Sequence, residues 1–66
     1  MKITINGDTH ILGDGMSVAG LLQKLNLNPR KFAIEQNLNI IPANEYETTH
    51  LSDGDIIEIV QFIGGG

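Results

Sequence analysis

Polar and apolar residues alternate at the start of this chain, and a helical spacing of apolar residues follows. Residues 2–6 (KITIN) alternate as a strand with one buried face does. The Asn6-Gly7 pair predicts a tight hairpin turn, after which residues 9–12 return antiparallel. Over residues 18–25 the apolar side chains recur at the spacing of one helical face, and Ser17 is suited to cap that helix. The pattern therefore predicts a β-hairpin followed by one amphipathic helix.

The second half of the chain predicts three further strands. Residues 31–35 form one, and residues 40–41 form a short one that Pro42 stops. Residues 43–50 have no clear period and are expected to form a short helical turn and a connection. Residues 56–63 are apolar on both alternating faces, which is typical of a strand in the middle of a sheet.

This order of elements predicts an α+β fold, a mixed sheet of four to five strands packed on one helix in the β-grasp arrangement. We predict one domain over residues 1–63 and a flexible glycine tail over residues 64–66. A single helix covers only one sheet face, so an apolar patch on the other face would be a docking surface. Phe62 and Ile63 are candidates for it, and core packing is the first interpretation for either residue taken alone.

The composition narrows the classes of function. A 66-residue chain without cysteine is one domain, and a domain of this size buries only about 60% of its unfolded surface, which leaves little room for an active-site cleft. A net charge of −4 disfavours nucleic acid, and no segment approaches the roughly 20 apolar residues of a membrane helix. We expect a cytoplasmic protein that is monomeric when free and that binds neither nucleic acid nor membrane.

Several single residues have a plain interpretation. His10 and His50 lack any ligand-like spacing, so no metal site is predicted. Tyr46 is expected to pack over the sheet edge. Gly20 inside the helix either marks a close helix–sheet approach or is a tolerated weak spot.

The acidic residues of the second half are each interpreted as solvated, although together they could steer the tail towards a basic partner. They are Glu45, Glu47, Asp53, Asp55 and Glu58.

Three glycines follow the last apolar strand and form the most informative segment. Gly64, Gly65 and Gly66 carry no side chain, so their backbone could thread a slot too narrow for a Cβ atom. They would present a terminal carboxylate on Gly66, an anion at neutral pH and a poor electrophile until it is adenylated. The competing interpretations of such a tail are a frayed terminus and a cloning remnant.

With this order of elements, the Asp53-Gly54-Asp55 turn, the apolar last strand and Gly65-Gly66 together, the chain resembles the ThiS family of sulfur carriers in thiamin biosynthesis. The resemblance runs the whole length, and residues 39–42 (NIIP) also look like the short strand ending in proline of such proteins. It implies a ubiquitin-like β-grasp fold. Diglycine ends also occur in ubiquitin-like modifiers and in the small subunit of molybdopterin synthase, but the short length favours the thiamin carrier.

The resemblance implies that Gly66 is the modified residue and that Gly64 and Gly65 thread the active sites of partners. An E1-like adenylyltransferase would consume ATP and magnesium to adenylate the carboxylate. A sulfur donor such as a cysteine desulfurase would then supply sulfur through a persulfide, leaving a glycyl thiocarboxylate for thiazole synthase. We expect no cofactor and no catalytic residue on the chain itself, because it has no cysteine nucleophile and no base placed to act alone.

Rival interpretations differ in the fate of Gly66. A sulfur carrier, of the thiamin or the molybdopterin branch, predicts a thiocarboxylate on this residue. A ubiquitin-like modifier predicts an isopeptide bond to another protein, and an inert β-grasp interaction module predicts no dependence on the tail.

Overall fold

The computed structural model describes residues 1–62 as a five-stranded mixed sheet with one helix packed on it. The elements are β1 (Lys2–Ile5), β2 (Asp8–Ile11), α1 (Val18–Lys24), β3 (Phe32–Gln36), β4 (Asn39–Ile41), a 3-10 turn (Ala43–Glu45) and β5 (Ile56–Gln61). The sheet order is β2-β1-β5-β3-β4, and only the β1–β5 pair is parallel. The predicted β-grasp fold and the central position of the last strand are therefore confirmed. Ile63 and the tail predicted over residues 64–66 lie outside the described residues.

The turn between β1 and β2 also ties β1 to β5. Asn6 and Gly7 have φ angles of 48° and 86°, the left-handed values that a tight hairpin turn requires. The Asn6 side chain reaches across to β5, where its Oδ1 accepts from the Ile59 amide at 2.8 Å and its Nδ2 donates to the Ile59 carbonyl at 3.1 Å. This side chain continues the backbone ladder of β1 beyond the point where the chain turns away.

Ser17 caps the helix as the sequence predicts. Its backbone is extended, and its Oγ accepts from the Gly20 amide at 3.0 Å. The buried face of α1, formed by Val18, Leu21 and Leu22, meets the inward face of the sheet. Burying that face is the main source of stability, since a seven-residue helix is too short to form alone. The fully buried side chains are Ile3, Val18, Leu21, Leu22, Ile34 and Ile57.

Tyr46 lies in the core, so the expectation that it packs over the sheet edge is wrong. The 3-10 turn precedes it and turns its ring inward, leaving it 6% exposed. Its hydroxyl donates to the Phe32 carbonyl at 3.3 Å, and its own carbonyl accepts from the Ala19 amide at 2.8 Å. Burial raises the pKa of Tyr46. The ring therefore joins the helix to β3 from a segment whose sequence is polar.

Gly20 is a weak spot of the helix and not a point of close approach to the sheet. A Cβ atom added there would lie 3.4 Å from Met16 Cγ and 3.4 Å from Ser17 Oγ, and no strand atom lies within 4 Å. We expect Gly20→Ala to raise the free energy of unfolding by about 0.5–1 kcal/mol, because alanine loses less backbone entropy on folding. Urea denaturation measures this change.

The matched control for this substitution is Gly7→Ala. Gly7 also has open space around it, but its φ of 86° strains any other residue, so the control should lose stability. A loss of stability in Gly20→Ala would show instead that the contacts to Met16 and Ser17 disturb the cap.

Candidate partner-binding site

Strand β5 leads to the glycine segment and is held on both sides. It pairs with β3 from Gln36↔Ile57 to Phe32↔Gln61, and with β1 on its other edge. Beyond the strand, the Phe62 amide donates to the Lys31 carbonyl at 2.8 Å. The described chain is thus attached to the sheet up to its last residue, and the three glycines follow one residue later in the sequence.

The two faces of β5 have different environments. Ile57 is fully buried beneath the helix. Ile56 and Val60 are 54% and 60% exposed, because no element within residues 1–62 covers the other face. Phe62 is 57% exposed, so core packing is the wrong interpretation for this residue. Its role in docking stays a prediction, and Ile63, the other docking candidate, lies outside the described residues.

The face of the sheet opposite the helix, called the open face below, combines apolar and acidic side chains. Glu35 on β3 lies directly opposite Glu58 on β5, and Ile40 on β4 lies directly opposite Glu35. Both glutamates line one shallow depression together with Ile56 and Leu38. On β3, β4, β5 and the residue after β5, the open face presents Ala33, Glu35, Ile40, Ile56, Glu58, Val60 and Phe62. On β1 and β2 the same face presents Lys2, Thr4, Thr9 and Ile11.

Asp55 precedes β5 and forms a buried hydrogen-bonded centre, so its interpretation as a solvated residue is wrong. It is 7% exposed. Its Oδ2 accepts from the Ser52 amide at 2.8 Å and from Gln36 Nε2 at 2.9 Å, and its Oδ1 accepts from Asn37 Nδ2 at 2.9 Å. One carboxylate thereby fixes the turn before β5 to the end of β3.

The hydrogen bonds decide the charge state of Asp55. Burial alone would raise the pKa of this carboxyl, but the bonds from Asn37, from the Ser52 backbone and from Gln36 outweigh burial and hold the pKa below its ordinary value. Asp55 is therefore ionised at neutral pH. Its neighbour Asp53 supports the same corner, where its Oδ1 accepts from the Lys2 amide at 2.7 Å.

Comparison of this chain with known proteins identifies its family. The ThiS family model matches residues 2–66. The chain belongs to the ThiS family. The sulfur carrier protein ThiS of Bacillus subtilis is 35% identical over 65 residues, which cover 97% of this chain and 98% of that protein. The suspected resemblance is therefore confirmed.

Two longer relatives contain a segment similar to this ThiS-family chain. They are named thiazole synthase, come from Paramagnetospirillum magneticum and Magnetococcus marinus, and are 46% and 41% identical over 66 residues. The match covers all of this chain and 20% of each relative, so the chain spans a fifth of their length.

A solved structure of the ThiS family has the same fold. The crystal structure of the thiamine biosynthesis protein ThiS from Geobacter metallireducens superposes with a TM-score of 0.88 at 28% identity, covering 100% of both chains. The solution structure of a thiamine biosynthesis protein from the same organism gives a TM-score of 0.79 at 29% identity, covering 100% of this chain and 88% of that one.

Over residues 1–62 no group of three or more His, Cys, Asp or Glu side chains is arranged to hold a metal ion. His50 is exposed, and its Nδ1 lies 3.2 Å from the Thr48 carbonyl. Within the same residues no helix has the length and apolar character needed to cross a membrane. The predicted modification residue Gly66, and Gly64 and Gly65 beside it, lie outside the described residues.

Proposed function

We propose that this chain is a sulfur carrier protein of thiamin biosynthesis, with the Gly66 carboxylate as the group that takes up and delivers sulfur. The observation that carries the proposal is the match to the ThiS family over residues 2–66, which includes all three terminal glycines. The nearly full-length similarity to the Bacillus subtilis sulfur carrier supports it. The fold is compatible with this role, because β5 carries the exposed side chains of Ile56 and Val60 and ends at Gln61, three residues before Gly64 in the sequence.

The proposed chemistry takes place on Gly66 and is catalysed by partners. An E1-like adenylyltransferase uses ATP and magnesium to convert the carboxylate into an acyl adenylate, which has a good leaving group. The terminal sulfur of a persulfide on a donor such as a cysteine desulfurase displaces AMP and forms an acyl disulfide with the donor. A thiol of a partner or a free thiol then attacks the donor sulfur of this S–S bond, which releases the Gly66 thiocarboxylate and leaves a disulfide on the donor. The chain is then a protein cosubstrate and not an enzyme, in keeping with a sequence that has no cysteine.

Thiazole synthase is the proposed recipient of the sulfur. Two proteins of that name contain a segment more than 40% identical to this whole chain, which supports a physical association between the two modules. A protein-bound thiocarboxylate is a nucleophile that can deliver its sulfur to one specific enzyme. Gly66 regains its carboxylate after the sulfur has been transferred.

Intact-mass spectrometry tests the proposed function. The chain is incubated with ATP, magnesium, cysteine and an extract of thiamin-producing cells, and fragmentation locates any change. We expect a mass shift equal to the replacement of one oxygen by sulfur, placed on Gly66. Deletion of Gly66 should remove the shift.

The Bacillus subtilis carrier in the same extract is the positive control. If that control is converted and this chain keeps its mass, the sulfur-carrier proposal is wrong. An adduct that joins Gly66 to a lysine of another protein would instead identify a ubiquitin-like modifier.

A further inference from the structure

Two like charges lie side by side at the centre of the open face. Glu35 and Glu58 are direct partners on the adjacent antiparallel strands β3 and β5. Their chain neighbours Ile34 and Ile57 are 1% and 0% exposed beneath the helix, so both glutamates point to the opposite side of the sheet. Carboxylates directly opposite each other destabilise a strand pair. The free protein thus contains an unfavourable charge pair at this position.

No cation of the described chain relieves this repulsion. Over residues 1–62 the one ion pair joins the N-terminal amine to Asp14, at 3.3 Å. Neither Glu35 nor Glu58 therefore has a Lys, Arg or His partner within that part of the chain. Solvent screens the two carboxylates in the free protein, and this screening would be lost if another surface covered the open face.

Apolar side chains surround the two carboxylates. Ile40 is 69% exposed beside Glu35. Ile56 and Val60 on the strand that carries Glu58, and Phe62 just after that strand, are each more than half exposed. A partner that covers these side chains would gain hydrophobic free energy but would also desolvate two negative charges. The cost of desolvation is offset only if the partner supplies a cation there.

The two carboxylates and the apolar side chains around them together limit which partner can bind the open face. A second copy of the chain stacked centre to centre on the open face would bring four carboxylates together, because Lys2 on the same face lies beyond Ile56 and away from the glutamate pair. A purely apolar surface would leave two carboxylates buried without a partner. Arginine fits the position best, because its planar guanidinium has five donors and can bond to both carboxylates at once.

We propose that thiazole synthase docks on the open face through an arginine held between Glu35 and Glu58, with the surrounding apolar side chains packed against it. This inference rests on the proposed function, since thiazole synthase is the partner that the two longer relatives indicate. The glutamate pair then determines which surface the carrier accepts, and Gly66 remains the group that reacts.

Isothermal titration calorimetry with thiazole synthase from the same organism tests this inference on a matched pair of double variants. Glu35→Gln with Glu58→Gln removes two negative charges from the open face. Glu45→Gln with Glu47→Gln removes two from exposed positions in and after the 3-10 turn. We expect the first variant to raise Kd about 30-fold or more, as loss of a buried charge pair does, and the second to change Kd less than about threefold.

Two further measurements separate this result from a folding defect. Glu35→Gln with Glu58→Gln should have an equal or higher Tm than the original protein, because the cross-strand repulsion is removed. Its binding should also lose the salt dependence that the original protein and the control variant show.

The results that would contradict the docking proposal can be told apart from those that would contradict the sulfur-carrier proposal. Equal binding by both double variants overturns the glutamate–arginine contact and leaves the sulfur-carrier proposal intact. A chain that forms the thiocarboxylate yet does not bind thiazole synthase overturns the choice of occupant. A dimer in light scattering that forms through the open face overturns the docking proposal as well.

Discussion

Replacing Gly65 with valine is expected to lower the rate of adenylation by about 100-fold or more while leaving thermal unfolding nearly unchanged. The proposed reaction requires the last residues to enter a narrow slot, and a branched side chain would displace the carboxylate from the nucleotide. Folding should be unaffected, because the buried apolar residues of the described chain all lie between Ile3 and Ile57. Pyrophosphate exchange with the E1-like partner and Tm measure the two effects.

Gly13→Val is the matched control for this prediction. Gly13 has an ordinary φ angle, and no atom of the described part of the chain lies within 4 Å of an added Cβ atom. This variant should be adenylated at the normal rate. That result would show that a glycine-to-valine substitution slows adenylation at Gly65 and not at Gly13. Normal adenylation of Gly65→Val would refute the slot argument, whereas a large fall in its Tm would mean that the tail also contributes to the fold.

Much of the fold could be predicted because its signals are local. Asn6-Gly7 defines a turn through its own backbone preferences, and Ser17 caps the helix through an amide three residues away. The long apolar strand also indicated its central position, because an apolar run rich in β-branched residues is typical of a strand in the middle of a sheet. In each case the interacting groups are close in sequence or belong to one repeating pattern.

The wrong predictions from the sequence concern residues whose interaction partners are distant in sequence. Asp55 is bonded by side chains 18 and 19 residues away, and Tyr46 donates to a carbonyl 14 residues away. Neither partner can be identified from the residues next to these positions. The exposure of Phe62 depends on which parity of β5 faces the helix, and this is settled only when the sheet is assembled. The role proposed for Gly66, by contrast, does not depend on contacts within the fold. It rests on the chemistry of a terminal carboxylate and on the family resemblance.

Asp55→Asn should lower the free energy of unfolding by about 2–3 kcal/mol at neutral pH. The substitution keeps the size of the side chain but replaces one accepting oxygen with an amide that donates, so a buried donor of Ser52, Gln36 or Asn37 loses its partner. Urea denaturation measures the change. Asp8→Asn is the matched control, because Asp8 is exposed at the start of β2 and its replacement should alter stability by less than about 0.5 kcal/mol.

The stability difference between the original protein and Asp55→Asn should depend on pH in one direction. The pKa of Asp55 is lower in the folded state than in the unfolded chain, so unfolding is accompanied by proton uptake at acidic pH. The stabilisation is fully present above the unfolded pKa of about 4 and is lost as the pH falls through the lower folded value. The two proteins should therefore become more alike in stability as the pH falls below the unfolded pKa and through the lower folded one. A difference that stayed constant over this acidic range would mean that the shape of the carboxyl group, and not its charge, stabilises the turn before β5.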